Sequence, residues 1–434
     1  VIPARALLLL FFPFAWAGGC RADETPLLRD FIGLNGHTVQ FKPDLYQPIG
    51  KLVRDYHPVE WDLGPDSSKL PPFPFAKNGV DWSKVYGSWR SRGWTTDVCL
   101  MFESLPQKNW RNLEADAKAY GRAFAAAFGP SGSRRLVDSV EIGNEPGSWK
   151  DADYRKIFSA LAEGIREGDP KLTIATCNLC TGPSGSYEKS VNCLADHPEL
   201  YDVLNIHSYA QIENWPTWRR SYPEDPGLKK YLPDIEALCR WRDTNATGKP
   251  VWLTEFGYDS STRQAPATGD FSKWVGVTDL QQAQWLVRSL LVFSTLPVQR
   301  AYIYFFNDED KPMLHSSSGL TRHFQPKPSY WAVAHLQKTL GDFRFNRMVT
   351  QEGQLRVQEY KNGQGQIAWA VWSPTGKGLS SHPTLSQTPG KLVRAEPMLL
   401  QKNDDATTDA TQDALGDISL TVSESPLYLF FEKN

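Results

Sequence analysis

The sequence predicts a (β/α)8 barrel, a TIM barrel, followed by a C-terminal antiparallel β-sandwich-like domain. Three observations predict it. Eight short apolar runs recur over about three quarters of the chain, several ending in polar groups, as parallel strands buried on both faces do. Helical stretches lie between most of them, the alternation that builds a closed parallel sheet. After about Leu340 this pattern gives way to short strands and turns. The competing architecture, an open doubly wound sheet, lacks a Gly-rich phosphate turn after the first strand.

In chain order, the first segment is a leader over residues 1–20. It reads VIPARALLLLFFPFAWAGGC, with Arg5 ahead of an apolar run of twelve from Ala6 to Ala17. Such a run is too short for a mature membrane span and suits a secretory signal. Ala15-Trp16-Ala17 fits a small-x-small cleavage site. Ala17-Gly18-Gly19-Cys20 also looks like a bacterial lipoprotein site, in which Cys20 is acylated. The first residue is Val, so the leader reads as incomplete or as using an alternative start. The expected location is secreted or periplasmic, with membrane anchoring only through a lipidated Cys20.

The barrel is expected over residues 25–342. Its strands are Phe31–His37, Leu52–His57, Thr96–Phe102, Ser139–Asn144, Leu172–Cys177, Val203–Tyr209, Val251–Phe256 and Tyr302–Phe306. Leu113–Phe128, Tyr154–Glu167 and Asp279–Thr295 have helical spacing, and Asp169-Pro170 ends a helix before the fifth strand. The small β-domain is expected over residues 343–434, with strands Leu355–Tyr360, Gln366–Trp372, Lys391–Ala395 and Ile418–Phe431. It either shields one side of the barrel or binds carbohydrate.

Composition narrows the function. The chain has 434 residues, 41% hydrophobic and 22% charged, which is globular composition. A formal charge of −2 argues against a general nucleic-acid binder. Sixteen Trp, among 16 Tyr and 21 Phe, serve either a large core or stacking platforms for sugars. Cys99, Cys177, Cys180, Cys193 and Cys239 are an odd set. Cys180 and Cys193 bracket a Gly/Ser loop and are the expected disulfide if any pair forms. No His-Glu-x-x-His and no His/carboxylate triad with metal spacing is visible, so no metal or other cofactor is expected.

The chemistry sits at two strand ends. Glu141-Ile142-Gly143-Asn144-Glu145-Pro146 closes the fourth strand and Trp252-Leu253-Thr254-Glu255-Phe256-Gly257 the seventh. Barrel enzymes carry catalysis on the C-terminal ends of strands. Glu145 and Glu255 lie 110 positions apart, three β/α units. Two carboxyl groups facing one another are what cleavage of a glycosidic bond needs, one to protonate the leaving oxygen and one to attack. Asn144 can hydrogen-bond a neighbouring sugar hydroxyl. The bland alternative makes Glu145 a helix-start carboxylate and Glu255 a loop charge. No Gly-x-Ser-x-Gly elbow supports a serine hydrolase.

On these residues the chain resembles clan A of the glycoside hydrolases, the retaining barrels with an acid/base Glu after Asn on strand four and a nucleophile Glu on strand seven. The stretch from Val53 to Asp62 and the strand-four motif are similar to family 39 and to neighbouring endo-β-glucanase families. The resemblance implies that Glu145 is the acid/base and Glu255 the nucleophile. It implies further that Arg54 stands near the nucleophile, with His207 and Tyr209 at the site. Arg54 could instead serve an interior ion pair with Glu141, and His207 could be a satisfied core histidine. Many clan members place a Trp at the end of strand eight; here Phe306 replaces it, or Trp149 or Trp215 supplies the platform from a loop. His37 and His57 end strands one and two and either line the cleft or are structural. Trp215 and Trp218, with Arg219 and Arg220, lie in the loop after strand six. Asp308, Glu309 and Asp310 read as a solvated loop, or else as a substrate or calcium contact. The expected activity is endo-acting cleavage of a β-linked polysaccharide or oligosaccharide. The alternatives are an exo-acting β-glycosidase such as a β-xylosidase and a non-catalytic carbohydrate-binding protein.

Overall fold

The computed structural model describes residues 25–37, 42–404 and 406–433. The leader expected over residues 1–20, Cys20 included, lies outside the described residues. Eight parallel strands form the barrel: Ile32–Gly36, Leu52–Pro58, Thr95–Met101, Ser139–Ile142, Thr173–Cys180, Val203–His207, Val251–Phe256 and Arg300–Ile303. Each pairs with the next, and the first closes on the eighth with Ile32 opposite Ala301. Almost every residue of these strands is buried, because helices cover the outer face and side chains fill the inside.

The strands differ from the sequence expectation mainly at their ends. The fifth runs on to Cys180. The fourth stops at Ile142 because Gly143 adopts φ +85°, and a Cβ there would meet the Phe102 ring at 2.6 Å. The helices follow their apolar spacing. Leu113–Phe128 starts under an Asn112 cap, and Asp279–Phe293 starts with a capping box between Thr278 and Gln281. Leu113–Phe128 and Asp151–Gly168 approach backbone to backbone; a Cβ on Gly164 would meet the Lys118 carbonyl at 2.0 Å.

The C-terminal part is a five-stranded antiparallel sheet in the order Phe343–Thr350, Arg356–Asn362, Ile367–Trp372, Leu427–Lys433, Gly390–Pro397. Its side chains alternate between two cores. Tyr360, Ala368, Ala370, Trp372, Tyr428 and Phe430 join the same hydrophobic cluster as the barrel and its helices. Val357, Trp369, Val371, Leu427, Leu429 and Phe431 point the other way and pack with Leu385, Ile418, Leu420 and Val422. Leu385 and Ile418 belong to a small three-stranded sheet that completes the sandwich. From Gln282 to Phe293 the helix between barrel and sheet is buried on every side.

Two sequence expectations are corrected here. Cys180 and Cys193 are not joined; both thiols are free. The acidic stretch after strand eight is not a solvated loop. Asp308 and Asp310 are buried, Asp308 paired with Lys327 at 3.2 Å and Asp310 with Arg322 at 3.2 Å, while Glu309 alone is exposed. Among the described residues no helix is long and apolar enough to cross a membrane.

The junction between barrel and sheet holds one buried cation. Arg288 is fully buried, bonded by Glu224 through Nε at 3.2 Å and through Nη2, and donates to the Thr375 carbonyl at 2.9 Å. Glu224 also accepts from the Trp372 indole at 2.7 Å. Glu224→Ala would leave a buried guanidinium without its main partner. The expected loss is about 3 kcal/mol of unfolding free energy in urea titration, with the barrel and the sheet unfolding in one transition.

Candidate active site

Strand ends converge at the C-terminal mouth of the barrel, and Arg54 on strand two ties strands one, four and seven together. Its Nε and Nη2 grip Glu141 at 2.9 and 2.7 Å. Nη1 donates to Asn35 at 2.9 Å and to Glu255 Oε1 at 3.0 Å, and Nη2 to Asn144 Oδ1 at 2.9 Å. Arg54 therefore makes both the interior pair with Glu141 and the contact with Glu255 that the sequence left as alternatives.

Glu255 accepts hydrogen bonds on both of its oxygens. Strand seven carries a register irregularity, with Ile206 opposite Leu253 and His207 opposite Glu255. Bulges of this kind re-aim side chains beside active sites. Thr254 bonds the interior amide of Asn205 at 2.5 Å, and its neighbour Glu255 also turns inward. Oε1 accepts from the Tyr56 hydroxyl at 2.6 Å and Oε2 from Tyr209 at 2.8 Å. Burial alone would raise this carboxyl. His207, Arg54 and the two tyrosine hydroxyls outweigh it and bring it down to about 2.

Glu145 has a different environment. The Gly143 turn and Pro146 hold it just beyond strand four, and its side chain is 28% exposed. Its partner is His207, whose Nδ1 lies 2.9 Å from Glu145 Oε1 and 3.5 Å from Glu255 Oε2. His207 thus bridges the two glutamates. Asn144 turns its Oδ1 to Arg54, and no protein group among the described residues takes its Nδ2, which is left as a donor toward the mouth.

Sequence reading missed three contributors. Tyr56 is one and Tyr304 another. Glu103, just after strand three, is the third; its Oε1 accepts the backbone amides of Asn144 at 2.7 Å and Glu145 at 3.1 Å. Burial pushes its carboxyl up to about 7, against the pull of those amides. The strand-end rule that found Glu145 and Glu255 also points to Glu103.

Three expected substrate contacts are corrected. His57 is fully buried, held between Tyr86 and Asp62 at 2.7 Å each and stacked on Trp82. Trp149 is buried edge-on against Phe102 and offers no face to a ligand. Phe306 is fully buried and stacks on Tyr46 behind the strands, with ring centroids 4.3 Å apart. The aromatic at the end of strand eight is Tyr304, half-buried and facing Tyr56 and Tyr209 edge-on at 6.3 and 6.4 Å. Trp215 is 67% exposed on its loop. Arg220 anchors that loop: it stacks on Tyr209 at 4.3 Å and pairs with Asp259 at 3.2 Å. His37 stacks on Tyr56 at 4.7 Å.

One atom each of Glu145, His207 and Glu255 lie within 4.8 Å of one another, the spacing of a metal triad. The sequence shows no such triad among residues near one another in the chain; this one is assembled from three strands and is invisible in local spacing. The residues fit a cation poorly. Arg54 already places a permanent positive charge 3.0 Å from Glu255, whose two oxygens are both occupied.

The fold is shared with solved glycoside hydrolases. The chain is similar to a family 39 glycoside hydrolase from Bacteroides cellulosilyticus WH2, with TM-score 0.69 and 18% identity over 94% of this chain and 82% of that one. It is also similar to a glucosidase from Croceicoccus marinus, with TM-score 0.64 and 14% identity over 95% and 98%. The catalytic domain of a GH30 xylanase C from Talaromyces cellulolyticus gives TM-score 0.58 and 14% identity over 93% and 97%. No protein-family model and no curated sequence matches the chain.

Two of the perturbed carboxylates, Glu255 and Glu103, have opposite effects on stability. Glu255 is lowered from 4.5 to about 2, so it stabilises the fold above pH 4.5 and that contribution vanishes as pH falls to about 2. Glu103 is raised from 4.5 to about 7, so its contribution is full below pH 4.5 and is lost as pH rises through about 7. In urea unfolding measured across pH, Glu255→Gln should flatten the acid limb and Glu103→Gln the limb from 4.5 to 7.

Proposed function

We propose that the protein is a secreted retaining glycoside hydrolase that cleaves a β-linked polysaccharide by double displacement. One observation carries the reading. Glu255 is held ionised by a guanidinium and two tyrosines, while the more exposed Glu145 stands within 4.8 Å of it on the other side of His207. That separation suits direct attack; inverting enzymes hold their carboxyls about 6.5–9.5 Å apart to fit a water.

In the first step Glu255 attacks the anomeric carbon and forms a glycosyl ester. The glycosidic C–O bond breaks, and Glu145 gives its proton to the leaving oxygen. In the second step water attacks the same carbon, Glu145 takes the water's proton and Glu255 leaves as a carboxylate. Arg54, Tyr56 and Tyr209 stabilise the charge on Glu255 before and after the covalent stage. Nδ2 of Asn144 is available for the sugar hydroxyl next to the reacting carbon. Tyr304 supplies the aromatic wall that the sequence assigns to Phe306, Trp149 or Trp215.

The similar structures described as a glucosidase and a xylanase support glucans and xylans as the first substrates to try. The exposed Trp215, beyond the reacting pair on an anchored loop, favours an endo-acting enzyme on a chain substrate over an exo-acting β-glycosidase.

The deciding experiment is product release from β-glucans, xylans and mannans. Wild type should release oligosaccharides of several lengths with retained anomeric configuration, read by NMR. Glu145→Ala and Glu255→Ala should each lower kcat by roughly 10³-fold or more. EDTA should leave the rate unchanged. An inert wild type that still binds a glycan with the same affinity after Glu255→Gln would overturn the hydrolase reading and leave a binding protein.

A further inference from the structure

A second cavity lies at the opposite end of the barrel. It has a volume of 440 Å³ and forms where the approach to strand two and the helix Pro328–Leu340 meet the loop around Gln401. A neighbouring cavity of 330 Å³ shares His335, Lys338 and Leu399 with it, so the two make one groove. None of its lining residues belongs to the site of Glu145 and Glu255.

Its chemistry is specific. Trp331 is half-buried, set edge-on against Tyr330 at 5.0 Å, and lines the larger cavity. Three planar amides, Gln47, Gln337 and Gln401, line it too. The Gln337 amide packs beside Gly50, where a Cβ would come within 3.3 Å of its nitrogen. Both polar atoms of that amide are shielded from solvent and have no hydrogen-bond partner. The adjacent His335, itself buried, likewise has an unpartnered Nδ1. Lys51, Lys338 and Lys402 surround the cavity, and none makes an ion pair among the described residues. The fourth cation, Arg29, is already neutralised by Asp342. The other charged groups of the groove pair among themselves, Glu396 with His335 Nε2 at 3.4 Å and with Arg394 at 3.2 Å, so the three lysines stay uncompensated.

An aromatic face suits the apolar side of a pyranose, and the exposed amides of Gln47 and Gln401 can pair with its hydroxyls in both senses, as donor and acceptor. Lysines add attraction for carboxylate or sulfate groups. We propose that this groove is a second, non-catalytic carbohydrate site that takes an acidic oligosaccharide, one bearing uronate or sulfate-ester groups. The choice of a glycan as ligand rests on the hydrolase reading; the charge and geometry of the groove do not. Such a site would hold a polysaccharide chain on the face away from the cleavage site.

The test is calorimetric binding to the full chain in a Glu255→Gln background, which prevents turnover. The probes are a uronic-acid tetrasaccharide, a sulfated glucan tetrasaccharide, the neutral glucan tetrasaccharide and inorganic sulfate. One or both acidic tetrasaccharides should bind at least about tenfold more tightly than the neutral one, and which of them binds identifies the anion. Trp331→Ala should weaken that binding about tenfold. Lys402→Glu, on an exposed loop where folding is not at risk, should weaken it and reduce its salt dependence. Tyr209→Ala, at the other end of the barrel, should leave it unchanged. In the Glu255-containing enzyme, Lys402→Glu should leave hydrolysis of a short soluble substrate unaltered. Equal binding of neutral and acidic probes would overturn the proposal. So would binding lost in Tyr209→Ala but kept in Lys402→Glu, or sulfate matching the tetrasaccharides. A failed hydrolase reading shows separately, as absence of product from wild type.

Discussion

Arg54 has five N–H groups, and each has an acceptor no farther than 3.0 Å: two on Glu141 and one each on Asn35, Glu255 and Asn144. Those acceptors come from strands one, four and seven and from the turn after strand four. Burying charge costs several kcal/mol per ion even when paired, and burial works against the charge on Glu141. The cluster is therefore a poor way to stabilise a barrel and a good way to fix directions inside one. A guanidinium cannot deprotonate and its donors are coplanar, so it sets where Glu255 and Asn144 point. The amides of Asn35 and Asn205 extend this constraint, Asn35 to the carbonyls of Thr254 and Ile303 and Asn205 to Glu141 and Thr176.

The site separates two identical side chains by environment. Glu255 has donors on both oxygens and a cation beside it; Glu145 has one histidine and partial access to solvent. The proposed double displacement asks for such a difference in environment between its two carboxyl groups. His207 lies between them, and its Nε2 is buried without a partner.

How much of this is legible in the sequence depends on whether the information is local. Strand positions are, because an apolar run ending in a polar group marks where a buried strand reaches the barrel mouth. Glu145, Glu255 and Asn144 can be named on that basis; Arg54, His207 and Tyr209 follow only from the resemblance to clan A barrels, and the structure brings all six within one hydrogen-bonded network. Aromatic residues are where the reading goes astray. Trp149 and Phe306 have the composition of sugar platforms, but their rings serve the core, and only the three-dimensional path of the chain tells a wall from an interior. His57 ends its strand as a cleft residue would, yet Asp62, Tyr86 and Trp82 enclose it from elements that sequence spacing does not bring together. Partners distant along the chain likewise bury Asp308 and Asp310, one through Lys327 and the other through Arg322.

The helix Asp279–Phe293 is buried on all sides from Gln282 onward, with the barrel on one face and the antiparallel sheet on the other. The same hydrophobic cluster runs through both parts, from Ile303 of the barrel to Tyr428 and Phe430 of the sheet. Its sequence must satisfy two neighbours at once, and a substitution accepted by one is judged again by the other. The sheet is therefore not a bead that recombination could exchange for another module. Barrel and sheet share one core, and a chain trimmed to its barrel would carry an apolar wound along that helix.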